Sequence, residues 1–170
     1  MCGIFFKYSK KTINQSEIKK LRKKILKYLV KRGPDGVKEI HENNWYGLHS
    51  LLSITNNKQV QPVLIKNRFA VIYNGEIYND FKKYSSSYGD TDFLVNHIKK
   101  YGVDNLKKLD GEYAIIIYDL KKNILYLAKD PFGTKPLHYA INKNKEIIVT
   151  TYGKTIEDLG IKIKDIISIP

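Results

Sequence analysis

The sequence has few cysteines, few arginines and no long apolar run, and each scarcity excludes a class of protein. Cys2 is the only cysteine among 170 residues, which excludes an internal disulfide framework and favours a reducing, cytoplasmic compartment. No apolar run approaches the roughly 18 residues of a membrane span. No basic segment is followed by an apolar one at the N-terminus, so we expect neither membrane insertion nor secretion. His41, His97 and His138 are too dispersed for a metal site, and we predict no metal and no cofactor.

Arginine is scarce although the chain is strongly basic. The net charge is +13, from 30 Lys and Arg against 17 Asp and Glu, yet only Arg22, Arg32 and Arg68 are arginines. Base-reading and bidentate phosphate sites favour arginine. The densest lysine cluster, within residues 19–27, falls on the polar side of a predicted helix. We therefore interpret the charge as a solvated surface and keep nucleic-acid binding as a disfavoured alternative.

The spacing of apolar residues predicts two main helices among many short strands. Helical periodicity indicates one helix over about 17–31, with Ser16 as its cap. A second helix is expected over about 92–101, capped by Asp90 or Thr91. This alternation, in a chain that is 42% hydrophobic, predicts a single α+β domain with sheets packed together and helices outside. The remaining predicted elements are a short helix near 103–108 and strands near 3–8, 37–42, 45–54, 63–65, 68–73, 112–119, 124–129, 137–142, 146–151 and 161–169.

Cys2 stands where removal of the initiator methionine would expose it as a new N-terminus. Such a residue carries a thiol and a free α-amino group, whose unperturbed pKa values are about 8.5 and about 7.7–8. A nucleophile and a base suited to neutral pH then lie on one residue. The alternative interpretation is a chance cysteine near a frayed terminus, which Cys2 taken alone does not exclude.

Seven short motifs, in series along the chain, resemble those of the class II glutamine amidotransferase domain. The Arg-Gly-Pro-Asp form of the second motif is most similar to the glutaminase domain of asparagine synthetase. Each motif alone is a weak signal, but their order and spacing cover essentially the whole chain. They are Met1-Cys2-Gly3-Ile4, Arg32-Gly33-Pro34-Asp35, Gln61-Pro62, the run from Asn74 to Asn79, Gly89-Asp90-Thr91-Asp92, the run from Leu109 to Ala114, and the run from Lys129 to Leu137.

The resemblance implies the N-terminal-nucleophile hydrolase fold, a four-layer αββα sandwich. It covers residues 1–170 as a single glutaminase domain, and the synthetase domain is expected to be absent because no Ser-Gly-Gly-Leu-Asp-Ser-type loop occurs. The implied reaction is hydrolysis of L-glutamine to glutamate and ammonia. A separate synthetase subunit or a missing synthetase domain would consume the ammonia. We expect either a stand-alone protein or the N-terminal domain of a longer one.

The resemblance also assigns roles to six residues. Cys2 attacks the glutamine carboxamide, while the Asn74 side-chain amide and the Gly75 N–H form the oxyanion hole. A glycine at 75 suits this role because it lets backbone approach a ligand closely. Substrate contacts are implied for Ile54, Glu76 and Asp92, the last at the α-ammonium group.

Each of these assignments has an ordinary structural alternative. Asn74-Gly75 is also typical of a tight turn that ends a buried strand. Asp92 is also typical of a helix-capping or surface carboxylate. Arg32 and Asp35 are expected to order the loop over the nucleophile rather than to take part in the chemistry.

One position departs from the family pattern in a way that bears on function. The family has an arginine that clamps the glutamine α-carboxylate, and this chain has Leu51 at that position. Leucine cannot replace a bidentate, charge-assisted pair, although His49, Arg68 or a nearby lysine would do so in part if it reached the site. Two hypotheses therefore stay open. One is an active glutaminase, and the other is a catalytically impaired or inactive module that binds, regulates or accepts another amide.

Overall fold

The structure, a computed structural model, describes residues 1–53, 61–79, 89–162 and 166–168. Its helices are α1 (Gln15–Leu29), α2 (Asp90–Tyr101) and the short α3 (Gly153–Glu157), with a 3-10 helix at Val103–Lys108. Its strands are β1 (Gly3–Tyr8), β2 (Gly36–Glu42), β3 (Trp45–Leu51), β4 (Val63–Ile65), β5 (Phe69–Ile77), β6 (Gly111–Asp119), β7 (Ile124–Lys129), β8 (His138–Ile141), β9 (Ile147–Thr150) and β10 (Ile166–Ser168).

The strands form two antiparallel sheets, one of six strands and one of four. The six-stranded sheet has the order β10-β8-β9-β1-β3-β2, and the four-stranded sheet has the order β4-β5-β6-β7. In the larger sheet β1 pairs with β3 on one side and with β9 on the other, so Phe5 lies between Leu48 and Thr150. Because β1 is held along both of its edges, Cys2 is fixed immediately before the first residue of a central strand.

Alternate side chains of β1 divide the interior into two apolar layers. Ile4 and Phe6 lie between the two sheets, where they pack with Ile72 and Ile116. Phe5 faces the opposite side and packs under α1. Period-two alternation in a strand places successive side chains on opposite faces, so this one strand contributes to both layers.

A helix covers the outer face of each sheet. The buried stripe of α1, which repeats at helical spacing, packs on the six-stranded sheet. Helix α2 packs Phe93 and Ile98 against Tyr73, Ile115 and Ile117 of the four-stranded sheet. The resulting order of helix, sheet, sheet and helix confirms the predicted α+β class and the four-layer sandwich.

The caps of both main helices differ from the prediction. Helix α1 begins at Gln15 because Asn14, not Ser16, is its cap: the Asn14 Oδ1 accepts the Glu17 N–H at 2.9 Å. Helix α2 begins at Asp90 after Gly89, and no side chain caps it. Asp90 is unavailable as a cap because its carboxylate accepts the Ile77 N–H instead.

Three other elements also depart from the sequence prediction. Residues 74–77 belong to strand β5 rather than to a turn, because they pair with β6 as far as Ile77 opposite Gly111. Helix α3 was not predicted. The last predicted strand, over about 161–169, is confined to Ile166–Ser168 in the part of its range that the structure describes.

Candidate active site

A cleft of about 210 Å³ lies at one end of the two sheets. The start of β1, the end of β3, the last third of β5 and the first turn of α2 converge there. Its lining residues are Met1, Cys2, Leu51, Leu52, Ser53, Gln61, Tyr73, Asn74, Gly75, Glu76, Gly89, Asp90, Thr91 and Lys135. Four of the six predicted site residues, namely Cys2, Asn74, Gly75 and Glu76, are therefore brought together.

Cys2 is partly buried and immediately precedes β1. Its Sγ accepts the Leu52 N–H at 3.4 Å and lies 3.9 Å from the Leu52 carbonyl oxygen. Burial raises the pKa of the Cys2 thiol above its ordinary value, and the nearby positive charges of the N-terminus and Arg32 oppose this shift only in part. A neutral thiol in such a place needs a base to become a nucleophile.

The loop after α1 is tied down around Cys2. The Arg32 Nε donates to the Cys2 carbonyl oxygen at 3.3 Å, and the guanidinium lies over the Tyr152 ring. The Asp35 carboxylate accepts the Ser53 N–H at 2.7 Å. A Cβ at Gly33 would lie 2.1 Å from the Ser50 carbonyl oxygen, so only glycine fits against β3 there. These contacts agree with the predicted ordering role of Arg32 and Asp35.

Asn74 has a buried side-chain amide whose donor group is not satisfied by the residues that the structure describes. The residue is 1% exposed, and its Nδ2 is buried without a hydrogen-bond partner in the described part of the protein. Buried polar groups are nearly always paired, so an unpaired one requires an explanation. Asn74 and Cys2 both line the cleft, so a ligand oxygen bound there is a candidate partner for this amide.

The glycine at position 75 is required by the close packing of two strands. Its φ is +154°, and a Cβ there would lie 2.0 Å from the Glu112 carbonyl oxygen and 2.7 Å from the Tyr113 Cα. On the opposite strand, a Cβ at Gly111 would lie 2.3 Å from the Glu76 carbonyl oxygen. The two glycines therefore allow β5 and β6 to approach closely beside the cleft, and the approach of a ligand backbone at Gly75 stays a prediction.

Hydrogen bonds join β5 to the first turn of α2. The Asp90 Oδ2 accepts from the Tyr73 hydroxyl at 2.9 Å and from the Ile77 N–H at 3.1 Å. The Gln61 Oε1 accepts the Tyr73 N–H at 2.6 Å, while its Nε2 donates to the Thr91 Oγ1 at 3.2 Å. Burial raises the pKa of Tyr73 far above neutral pH, so its hydroxyl stays a donor.

The three residues predicted to contact the substrate differ in their position relative to the cleft. Glu76 lines the cleft, and Ile54 lies outside the described residues. Asp92 is partly buried and is not among the described residues that line the cleft. The carboxylate that does line it from this motif is Asp90, two residues earlier, which sequence reasoning considered only as a cap. The role of Asp92 stays a prediction, and Asp90 joins it as a candidate.

Leu51 lines the cleft, as its position at the end of β3 requires. Neither His49 nor Arg68, the two residues named as replacements for the missing arginine, can supply a cation to the cleft. His49 is 1% exposed with an unpaired Nε2, and burial lowers its pKa to about 4, so it is neutral at pH 7. Arg68 pairs with Asp119 at 3.1 Å, at the end of the β5–β6 pair opposite to the cleft.

Lys135 is the lysine that the structure brings to the cleft. It is 8% exposed, and its Nζ lies 2.7 Å from the Glu112 Oε2. The loop that carries it is held by Asp130, whose carboxylate accepts from the backbone of Phe132 and Thr134 and from the Tyr113 N–H. The sequence placed Lys135 in the last of the seven motifs but gave it no role in the site, because the glycine and prolines of this motif were its visible signal.

No group of three or more His, Cys, Asp or Glu side chains is arranged to hold a metal ion in the part of the chain that the structure describes. None of the helices in the described ranges is long and apolar enough to span a membrane.

Comparisons with known proteins agree with the predicted family. Residues 1–164 match the family described as "Glutamine amidotransferase domain". The chain is 31% identical over 151 residues to "Asparagine synthetase [glutamine-hydrolyzing] 1" of Bacillus subtilis, covering 82% of this chain and 24% of that protein. It is 30% identical over 173 residues to "Probable asparagine synthetase [glutamine-hydrolyzing]" of Dictyostelium discoideum, covering 93% and 30%. The chain thus spans less than a third of either curated relative.

A solved structure shows the same fold. The glutamine phosphoribosylpyrophosphate amidotransferase from B. subtilis, complexed with ADP and GMP, matches with a TM-score of 0.71 at 17% identity. The match covers 99% of this chain and 49% of that one. At this identity the likeness concerns the fold alone.

Proposed function

The chain belongs to the glutamine amidotransferase domain family, and from this premise we propose that it hydrolyses the side-chain amide of L-glutamine with Cys2 as the nucleophile. The products are glutamate and ammonia. The observation that supports this most is the buried, unpaired Nδ2 of Asn74 on the cleft that Cys2 lines. An unpaired amide donor on a residue that shares a cleft with a thiol is what an oxyanion hole requires before its substrate arrives.

Maturation is the first step of the proposed mechanism. Met1 precedes Cys2, lines the cleft and is 49% exposed. Hydrolysis of the Met1–Cys2 peptide bond would free the Cys2 α-amino group, whose ordinary pKa of about 7.7–8 suits a base at neutral pH. Because burial raises the pKa of the thiol, this adjacent amine is the group we expect to take its proton, directly or through a water.

Attack on the carboxamide then moves charge onto its oxygen. The Cys2 Sγ bonds to the carbonyl carbon, and the oxyanion accepts hydrogen bonds from the Asn74 Nδ2 and the Gly75 N–H. The protonated amine returns its proton to the leaving nitrogen, so ammonia departs and a γ-glutamyl thioester remains on Cys2. Water, deprotonated by the same amine, cleaves the thioester and releases glutamate.

The other cleft residues would hold the amino-acid end of glutamine. A carboxylate favours a bound ammonium through a charge-assisted hydrogen bond, and Glu76 and Asp90 both line the cleft. We therefore assign the α-ammonium to this pair, with Asp92 and Ile54 kept as further predicted contacts. Asp90 is already held by Tyr73 and Ile77, so its position is fixed before substrate binds.

The acceptor of the ammonia is proposed from the relatives. Both curated relatives are named as glutamine-hydrolysing asparagine synthetases and extend well beyond the matched region. We propose that a synthetase domain, on the same chain or on a separate subunit, consumes the ammonia that this domain releases.

Glutamate release from L-glutamine tests the hydrolysis. The purified protein should release glutamate and ammonia in equal amounts, and the Cys2→Ala variant should release neither above buffer. Release by the variant equal to that of the parent would refute a Cys2 nucleophile.

One observation favours a second candidate function. Leu51 gives the cleft an apolar wall where a carboxylate clamp is expected. A module that binds or regulates without turnover, or that accepts another amide, would tolerate this wall. Binding of glutamine to the protein without any glutamate release would select this alternative.

A further inference from the structure

Glutamine carries two opposite charges, and the residues that line the cleft offer more partners for one than for the other. Its α-ammonium has two carboxylates available, Glu76 and Asp90. Its α-carboxylate needs a cation, because an ionised carboxylate taken from water into a partly closed site is costly unless it is paired. Leu51 supplies no such partner. A glutamine-hydrolysing site in this cleft therefore requires a cation from somewhere else in its wall.

Lys135 is the only side-chain cation among the described residues that line the cleft. The other candidate cations are engaged elsewhere. Arg32 bonds the Cys2 carbonyl oxygen and lies over Tyr152, Arg68 pairs with Asp119, and the buried His49 is neutral.

The surroundings of Lys135 keep its ammonium oriented and leave it able to bind a second anion. Only 8% of the residue is exposed, and its stem lies in a loop fixed by Asp130. The Nζ makes one hydrogen bond within the described part of the chain, to Glu112 at 2.7 Å. A lysine ammonium has three donors, so two remain for a ligand.

The sheet register places the partner of this ammonium opposite Glu76, one of the carboxylates assigned to the α-ammonium group. Glu112, which holds the Nζ, lies directly opposite Glu76 in the β5–β6 pair. Glu112 is itself 41% exposed at its side chain, so water screens the pair and the lysine is not neutralised in a closed environment. Glu76 and Lys135 thus offer opposite charges at neighbouring points of one wall.

We propose, on the basis of the proposed glutaminase function, that Lys135 binds the α-carboxylate of the substrate in place of an arginine. It would act as a specificity residue, which selects amides that carry a free carboxylate. Lysine makes a point-charge contact where arginine makes a planar bidentate one, so this clamp is weaker, and a high KM for glutamine is expected.

The test compares L-glutamine with L-glutaminamide, which has the same side-chain amide but no α-carboxylate. Formation of glutamate or of glutamic acid α-amide reports cleavage of the side-chain amide in each case, with the α-amide separated from its isomer glutamine by liquid chromatography before mass spectrometry. The parent protein should prefer glutamine at least tenfold in kcat/KM. Lys135→Met should bring this preference to about one through KM rather than kcat, and Lys135→Arg should keep it. Lys143→Met removes an exposed lysine far from the cleft and serves as the matched control.

A binding measurement makes the test independent of turnover. Calorimetry on the Cys2→Ala variant, with and without Lys135→Met, should show the same loss of preference for glutamine over glutaminamide. Binding with this pattern but no hydrolysis by the parent would refute the glutaminase function and support the role of Lys135. Hydrolysis in which Lys135→Met keeps the full preference would refute the role of Lys135 and leave the function standing. Equal use of both amides by the parent, or no glutamine binding at millimolar concentration, would also overturn the proposal.

Discussion

The two sides of the cleft differ in how many of the groups needed for glutamine hydrolysis they contain. The attack side, formed by Cys2, Asn74 and Gly75, has a thiol, an unpaired amide donor and a backbone held by close strand packing. The recognition side, formed by Leu51, Glu76, Asp90 and Lys135, has carboxylates for an ammonium group but an apolar residue and a single lysine for a carboxylate. Under the proposed function, bond cleavage and substrate selection are therefore separable. The chemistry would depend on the first side, and the choice of amide on the second.

The largest expected effect is the loss of the nucleophile. Cys2→Ala should lower glutamine hydrolysis by at least about 10³-fold, because no other group on the attack side can form the thioester. Glutamine binding, measured by calorimetry, should stay within about threefold of the parent value, since the recognition side is intact. A variant that loses binding as well as turnover would show that the two sides are not separable.

Removal of the oxyanion donor should reduce the rate without affecting binding. Asn74→Ala is expected to lower kcat about 10²–10³-fold with little change in KM, because the donor acts on charge that develops only in the transition state. Asn144→Ala, in the exposed turn between β8 and β9, is the control. A rise in KM with an undiminished kcat would move Asn74 to the recognition side.

Gly75→Ala should destabilise the fold beside the attack side. The added Cβ would collide with the Glu112 carbonyl oxygen, and we expect a loss of about 2–4 kcal/mol in urea unfolding. Gly36→Ala is a matched control, since Gly36 also lies in a strand but has open space around it and no positive φ. The control should change stability by less than about 1 kcal/mol, and equal losses in the two variants would contradict the close strand approach.

The protonation of His49 should appear in the acid stability of the protein. Its pKa of about 4 lies below the ordinary 6.5 because of burial, so the unfolded state binds the proton more tightly. The stabilisation is present above pH 6.5 and is lost as pH falls toward 4, by about 3 kcal/mol. His49→Gln should flatten this dependence in urea unfolding between pH 7 and pH 4.5, and an unchanged slope would mean that folding does not lower the pKa of His49.

The smallest effect is expected from restoring an arginine to the recognition side. Leu51→Arg should lower KM for glutamine about tenfold, the gain of about 1.4 kcal/mol typical of one charge-assisted contact. It should also rescue Lys135→Met, since either cation can serve the carboxylate. Leu51→Met keeps the wall apolar and should change KM little. A rescue by methionine equal to that by arginine would exclude a charge effect.

Periodicity in the sequence located most of the layers because each element has one buried face. The alternation in β1 and the helical stripe of α1 each determine which side packs inward. Periodicity did not locate the Asn14 cap, since two neighbouring polar residues suit that position equally. The residue types Asn74-Gly75 are typical of a turn, so the sequence predicted one there. Local composition contains no information about β6, whose Gly111 permits the close pairing that keeps these residues in a strand.

The attack side could be predicted from the motifs, and the recognition side only in part. Cys2, Asn74 and Gly75 lie within motifs that are weak one by one but informative in their order and spacing along the chain. Asp90 lay within a quoted motif, but two carboxylates at 90 and 92 cannot be told apart until the first turn of α2 is placed against Tyr73. Lys135 lies 58 residues after the end of β5 and reaches the cleft beside Glu112 of β6, which no local pattern reveals.

An intact-mass spectrum, taken before and after incubation with an electrophilic glutamine analogue, tests the central claim most directly. We predict loss of Met1 and a single adduct on Cys2, with no adduct in Cys2→Ala. Such a result requires a matured nucleophile in a cleft that accepts a glutamine-like ligand despite Leu51. Retained Met1, or a Met1-free protein that takes no adduct, would contradict the account.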